Sequence, residues 1–208
     1  MSRFRMTVLL ALFLACAPPA IAGTETYEVD QVHSRIMFNV RHFVSLFNGR
    51  FNGVKGEIVL DRENLATAKI AVEIDAASID TGAEKRDTHL KGPEFFDVAA
   101  HASITFQSTE VIPMPESKAI VKGNLTMHGV TKPVEMEAQV LGFGPDTWGG
   151  FRAGFLGRTK LNRSEYGISY DKKGPDGAPV LGDEVEIVLN IEAIRKEPEK
   201  PAPPSSGK

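Results

Sequence analysis

Cysteine is nearly missing from this chain: Cys16 stands alone, inside a segment that reads as an export leader. Arg3 and Arg5 give that segment a basic start, Met6 to Ala17 an apolar stretch, and Ala20-Ile21-Ala22 a small-residue cleavage pattern. Cleavage after Ala22 leaves residues 23–208 with no cysteine, which excludes disulfides, a thiolate nucleophile and cysteine metal ligands. Stability then has to come from a packed interior. Lipidation at Cys16 is the alternative, although Phe13-Leu14-Ala15 makes a poor version of the lipoprotein pattern. Long apolar runs are also missing: about a dozen residues precede Pro18-Pro19, short of the roughly 20 that a spanning helix needs. A basic excess is missing too, because losing residues 1–22 removes two arginines and moves the formal charge from −3 to −5. Nucleic acid is therefore not an expected partner. The expectation is a chain that does not span a membrane, exported to the periplasm or secreted by a cleaved leader.

What is present is alternation with period two. Ile36, Phe38 and Val40 alternate with mostly polar residues, as do Ile70, Val72 and Ile74, then Val134, Met136, Ala138 and Val140, and finally Val185, Ile187, Leu189 and Ile191. The spacing predicts strands over 25–30, 34–43, 46–60, 67–76, 102–113, 117–129, 132–144, 151–162 and 183–194, joined as an antiparallel meander. The charged stretch Gly82 to Phe96 lacks alternation and stops at Gly92-Pro93, which predicts a short capping helix. Glycines within strand-like stretches, and a change of apolar phase from Phe47, Gly49 and Phe51 to Val54, Ile58 and Leu60, predict sharp coiling with a bulge near Gly53. Residues 23–195 are thus expected to form one all-β domain, and 196–208 a disordered Pro-rich tail.

The carboxylates along one face of residues 184–193 cannot sit against hydrocarbon, so the charged face is wet and the apolar face points to the axis. About eight strands leave room for either packed side chains or one slender ligand. Phe38, Phe43, Phe47, Phe51, Phe95, Phe106, Phe143 and Phe155 are candidate walls of a cavity, with Val40, Leu90, Leu125 and Met127 as aliphatic lining. They serve equally well as plain core. His42 continues the inward phase of Phe38 and Val40; it is either a polar contact for a ligand's head group or a core histidine. His128 falls on the outward phase, next to the turn Gly129-Val130-Thr131. Arg86 and His89 share a helix face and are read as receiving an anionic head group or as pinning the cap to the sheet. There is no Gly-x-Ser-x-Gly, phosphate loop or His-Glu-x-x-His, and none of the histidine spacings is a metal signature, so no catalytic residue and no metal ligand is assigned.

A set of motifs runs in order along the chain: Tyr27-Glu-Val-Asp-Gln-Val-His-Ser-Arg-Ile-Met-Phe38, Arg41-His42, Gly49-Arg-Phe51, Arg86-Asp-Thr-His-Leu90, Phe95-Phe96-Asp97 and Ile104-Thr-Phe-Gln-Ser108. It continues through Val121-Lys-Gly-Asn-Leu-Thr-Met-His-Gly-Val-Thr131, Arg163, Tyr166-Gly167 and Leu181-Gly-Asp-Glu-Val-Glu-Ile187. In their order and spacing these motifs resemble the YceI-like family. One departure is His101-Ala102, where the family often has proline. The resemblance implies a lipocalin-like, eight-stranded antiparallel β-barrel whose tunnel holds a polyprenyl chain or a related amphiphile such as a quinone or fatty amide. It also implies a lipid carrier rather than an enzyme, in a family where dimers occur. An enzyme acting on such a lipid, or an exported stress or adhesion protein with a filled core, are the competing readings.

Overall fold

The computed structural model describes residues 23–197; the leader assigned to 1–22 and the tail beyond 197 lie outside them. The strands are β1 (Glu25–Val29), β2 (Arg35–His42), β3 (Ser45–Phe51), β4 (Val54–Asp61), β5 (Asn64–Asp75), β6 (Ile79–Asp80), β7 (Ser103–Met114), β8 (Lys118–Met127), β9 (Val130–Pro145), β10 (Phe151–Asn162) and β11 (Leu181–Arg195). Helix α1 (Glu84–Lys91) lies between β6 and β7.

Three of the long strands are interrupted, and their halves run on from one another. β1 and β2 both pair with β11, at Val29↔Ala193 and Val40↔Val185. β3 pairs with β2 and β4 with β1, while β6 pairs with β3 and β5 with β4. The segments therefore make eight antiparallel staves, closed where β11 meets the first one; β6, at the end of the hydrogen-bonding order, pairs with β3 alone. This is the predicted barrel with its short helical cap.

The phase change near Gly53 is present, with its extra residues on the neighbouring stave. Phe51 opposes Ile79 and Val54 opposes Ile74; the surplus forms a 3₁₀ turn at Ala76–Ser78, begun by Asp75 accepting from the Ala77 N–H at 2.9 Å. Gly53 faces that turn closely, since a Cβ there would stand 2.9 Å from the Asp75 Cβ.

One end of the barrel is shut by aromatic packing. Tyr27 is fully buried against Phe143, and the guanidiniums of Arg62 and Arg195 lie over the Phe151 ring at 5.4 and 4.4 Å. Val54 and Leu60 are buried in the sheet interior, each such side chain contributing about 1.5–3 kcal/mol. The other end carries α1, the β2–β3 and β8–β9 turns and residues 163–180. α1 has no fully buried residue; Leu90 packs against the core, while Glu84 and Asp87 in its first turn and His89 and Lys91 in its last complement the helix dipole. Asp87 also accepts from the Thr81 N–H at 2.9 Å, tying the helix to the end of β6. Among the described residues no helix is long and apolar enough to cross a membrane.

Candidate functional site

The barrel interior is not filled. A lobe of about 280 Å³ lies under the cap, and a second of about 170 Å³ lies toward the aromatic end. Ile36, Ile74, Leu125, Leu161 and Ile187 line both, so they form a collar where the lobes adjoin along the axis. For scale, an apolar cavity of about 150 Å³ in another protein stays dry and admits benzene. Inward residues of β11 such as Ile187 and Leu189 keep partial accessibility because their neighbour is this cavity.

Most of the residues expected at a site meet in these lobes. Phe38, Val40, His42, Phe47, Phe51, Arg86, His89, Leu90, Phe95, Leu125 and Met127 line the cap-side lobe, and Phe106, Phe155 and Leu125 the inner one. Two do not line either lobe. Phe43 has a left-handed backbone (φ 49°) and is 47% exposed in the β2–β3 turn, because the inward phase ends at His42. Phe143 points inward, but lies beyond the inner lobe, packed on Tyr27 and edge-on to Phe155.

The histidines and charged residues that line the lobes are all on the cap side. His42 is exposed at the mouth, edge-on to Phe43 at 4.8 Å. Arg86 lies over the Phe47 ring at 4.2 Å and donates to the Thr81 hydroxyl and carbonyl at 2.8 and 2.9 Å; among the described residues no carboxylate pairs with it. His89 lies 2.7 Å from the Glu94 carboxylate and meets the Phe95 and Tyr170 rings edge-on. Arg86 and His89 thus serve as cap fasteners and still border the lobe.

Sequence reasoning missed the wall built by residues 163–181. Arg163 donates to three carbonyls, of Gly182, Ile168 and Tyr170, at 2.9, 2.7 and 2.7 Å. It thereby folds an aperiodic segment so that Ile168, Tyr170, Val180 and Leu181 close the cap-side lobe. Burial pulls the Arg163 pKa down, with the Asp183 and Asp171 charges opposing. The signal in the sequence was an arginine followed by an apolar Ile168, Tyr170 and Val180 without strand alternation.

The model of the YceI-like domain matches residues 27–193. The chain belongs to that family. The match begins and ends where β1 meets β11, so it spans every stave of the closed sheet. A UPF0312 protein of Vibrio campbellii is 37% identical to this YceI-like chain over 190 residues, 89% of this chain and 95% of the relative. Among solved structures, BcnA of Burkholderia cenocepacia superposes with a TM-score of 0.71 at 23% identity, over 79% of this chain and 99% of that one. A polyisoprenoid binding domain from Saccharophagus degradans superposes with a TM-score of 0.58 at 15% identity, over 83% and 98%. Those two share the YceI-like barrel with this chain.

Proposed function

We propose that this YceI-like protein is a lipid carrier, holding one long isoprenoid or related amphiphile with its tail running through the collar and its head group at the cap. The observation that carries the reading is the pair of apolar lobes adjoining along the axis of a closed barrel. The polyisoprenoid binding of the Saccharophagus domain supports the same choice of ligand class.

The energetics favour the tail. Burying a CH₂ is worth about 0.8 kcal/mol, so twenty carbons give roughly 16 kcal/mol before the cost of ordering the chain and immobilising the complex. A charge-assisted contact with the head contributes about 1.5–3 kcal/mol. The tail sets affinity, and His42, Arg86 and His89 select the head group and direction of entry. No turnover is required of any of them. The basic start at Arg3 and Arg5 and the Ala20-Ile21-Ala22 pattern support placing the carrier in the periplasm.

The test is organic extraction and mass spectrometry of protein purified without delipidation. A prenyl lipid, quinone or fatty amide is expected in near-stoichiometric amount. A clean extract, together with delipidated protein that binds none of polyprenyl phosphate, ubiquinone or a long fatty amide, overturns the reading.

A further inference from the structure

Histidine spacing along the chain shows no metal signature, yet the fold brings two histidines and an aspartate together outside the lipid cavity. Asp97, His101 and His128 are half-buried, with one ligand atom from each lying within 4.8 Å of the others. We propose that they form a site for one divalent transition metal of the zinc class.

The donor set fits that ion. Two imidazoles and a carboxylate are the usual three protein ligands of an open zinc site, at bonds of about 2.0–2.2 Å. Ligand atoms in a tetrahedral shell stand about 3.4 Å apart, so binding requires each to close by roughly 1 Å. The positions of the ligands are set by backbone. The His101 N–H donates to the Asp97 carbonyl at 2.8 Å, closing a tight turn that holds the two residues near each other. His128 comes from the β8–β9 turn, and its Nδ1 lies 3.1 Å from the Tyr166 carbonyl. That contact holds Nδ1 as the donor and leaves the Nε2 lone pair for a metal, the outer-shell arrangement common to metal-bound histidines. The His101 and His128 rings are 4.7 Å apart, and His101 and Asp97 make no side-chain hydrogen bond or ion pair among the described residues. His128 holds left-handed backbone at φ 50° together with Gly129 at 74°, as the two-residue turn between β8 and β9 requires, and Asp97 does so at φ 42°.

The other group of this kind, Asp30, His33 and Glu192, already has its cation. Arg152 contacts Asp30 at 2.6 Å and Glu192 at 2.5 Å, which leaves no vacancy for a metal. At Asp97 no lysine or arginine among the described residues plays that part.

A metal there would latch the cap. Phe95 and Phe96, just before Asp97, and Met127, just before His128, line the cap-side lobe from two different elements. Joining Asp97 and His101 to His128 fastens those elements to each other.

Calorimetric titration of the chelator-treated full chain with Zn²⁺ tests the site, with Co²⁺ absorption as a report on ligand geometry. Wild type and His33→Ala are expected to bind one equivalent with a tetrahedral or five-coordinate Co²⁺ spectrum, and His101→Ala and Asp97→Asn at least tenfold more weakly. A hundredfold excess of Zn²⁺ over Kd should raise the melting midpoint of wild type by roughly 5–10 °C and that of His101→Ala far less. His101→Ala removes a ring with no hydrogen bond, and its midpoint in chelator should match wild type; if it does not fold, Asp97→Asn carries the same comparison. Absence of binding to wild type, equal binding by His101→Ala and Asp97→Asn, or loss on His33→Ala instead, each overturns the proposal.

Discussion

Arg152 and Asp30 meet at 2.6 Å across 122 residues of chain, where the first stave breaks between β1 and β2. The same guanidinium reaches Glu192 on β11 at 2.5 Å and Asp146 in the β9–β10 turn at 3.0 Å. It also stands 5.3 Å from the Trp148 ring. One side chain therefore ties together both sides of the seam at which the barrel closes. With Arg152 only 18% and Asp30 only 10% exposed, the pair lies between a surface bridge, worth under about 1 kcal/mol, and a buried one, whose breakage costs about 3–5 kcal/mol. Arg152→Met is expected to cost about 2 kcal/mol, read as a lower urea midpoint with an unchanged slope.

The same network sets an acid limit. Burial pushes the Asp30 carboxyl up, but hydrogen bonds from His33 and Arg152 and from the Val32 and His33 N–H groups outweigh it and hold the pKa well below the usual range. Asp146 is lowered in the same way by Gly150, Arg152 and Trp148 against desolvation, and Glu25 by Tyr27, Arg195 and Arg62. Groups whose folded pKa is depressed contribute stability above their unfolded pKa, near 4, and lose it as pH falls through the folded value. The urea midpoint should therefore fall steeply below about pH 4. In Arg152→Met the decline between pH 4 and 2 should be shallower; a parallel decline would show that the network is not its source.

Strands were legible because each has one wet face and one facing a dry lumen, as Val185, Ile187, Leu189 and Ile191 against Glu184, Glu186 and Glu192 make plain. Breaks in the staves were less so. The Ala76–Ser78 turn and two-residue β6 depend on pairing with β3, a long-range contact that leaves no local pattern. In the cavity, residues on strands followed from phase, while Ile168, Tyr170 and Val180 arrive through hydrogen bonds gathered by Arg163. Phe43 fails as a wall because a turn reverses its direction, and Phe143 because Tyr27 occupies the space beyond it. His101 and His128 come from different elements, so no spacing rule could have joined them.

Curvature should be sensitive at Gly123. A Cβ there would stand 2.5 Å from the Gln107 carbonyl oxygen and intrude on the Phe106 ring that covers the glycine. The carbonyl belongs to the β7–β8 ladder and cannot move aside freely. Gly123→Ala is expected to cost about 1–3 kcal/mol by urea denaturation, and Gly144→Ala, where a Cβ meets nothing within 4 Å, much less.

If the tail crosses the collar, narrowing the collar should shorten the acceptable ligand. Leu125 lines both lobes, so Leu125→Trp would block passage inward while leaving the cap-side lobe open. Displacement assays with prenyl alcohols of increasing length should show at least a tenfold loss for the longest chains and little change for the shortest. Equal loss at every length would mean general disruption, and Ile187→Phe, from the opposite wall, separates the two cases.

Head-group choice should rest on Arg86 more than on any other cation at the mouth. Its guanidinium is fixed by Thr81 and the Phe47 ring, so little entropy is lost when it meets an anion, and no carboxylate among the described residues competes. A charge-assisted hydrogen bond of about 1.5–3 kcal/mol corresponds to roughly 10- to 150-fold in affinity. Arg86→Gln should therefore weaken polyprenyl phosphate binding at least tenfold and change ubiquinone binding by less than about threefold, because a neutral head accepts a hydrogen bond from an amide nearly as well. Raising salt should weaken the wild-type interaction with the phosphate and leave the variant almost unaffected. If both lipids lose affinity equally in Arg86→Gln, the residue acts by holding the cap through Thr81 and not by recognising charge.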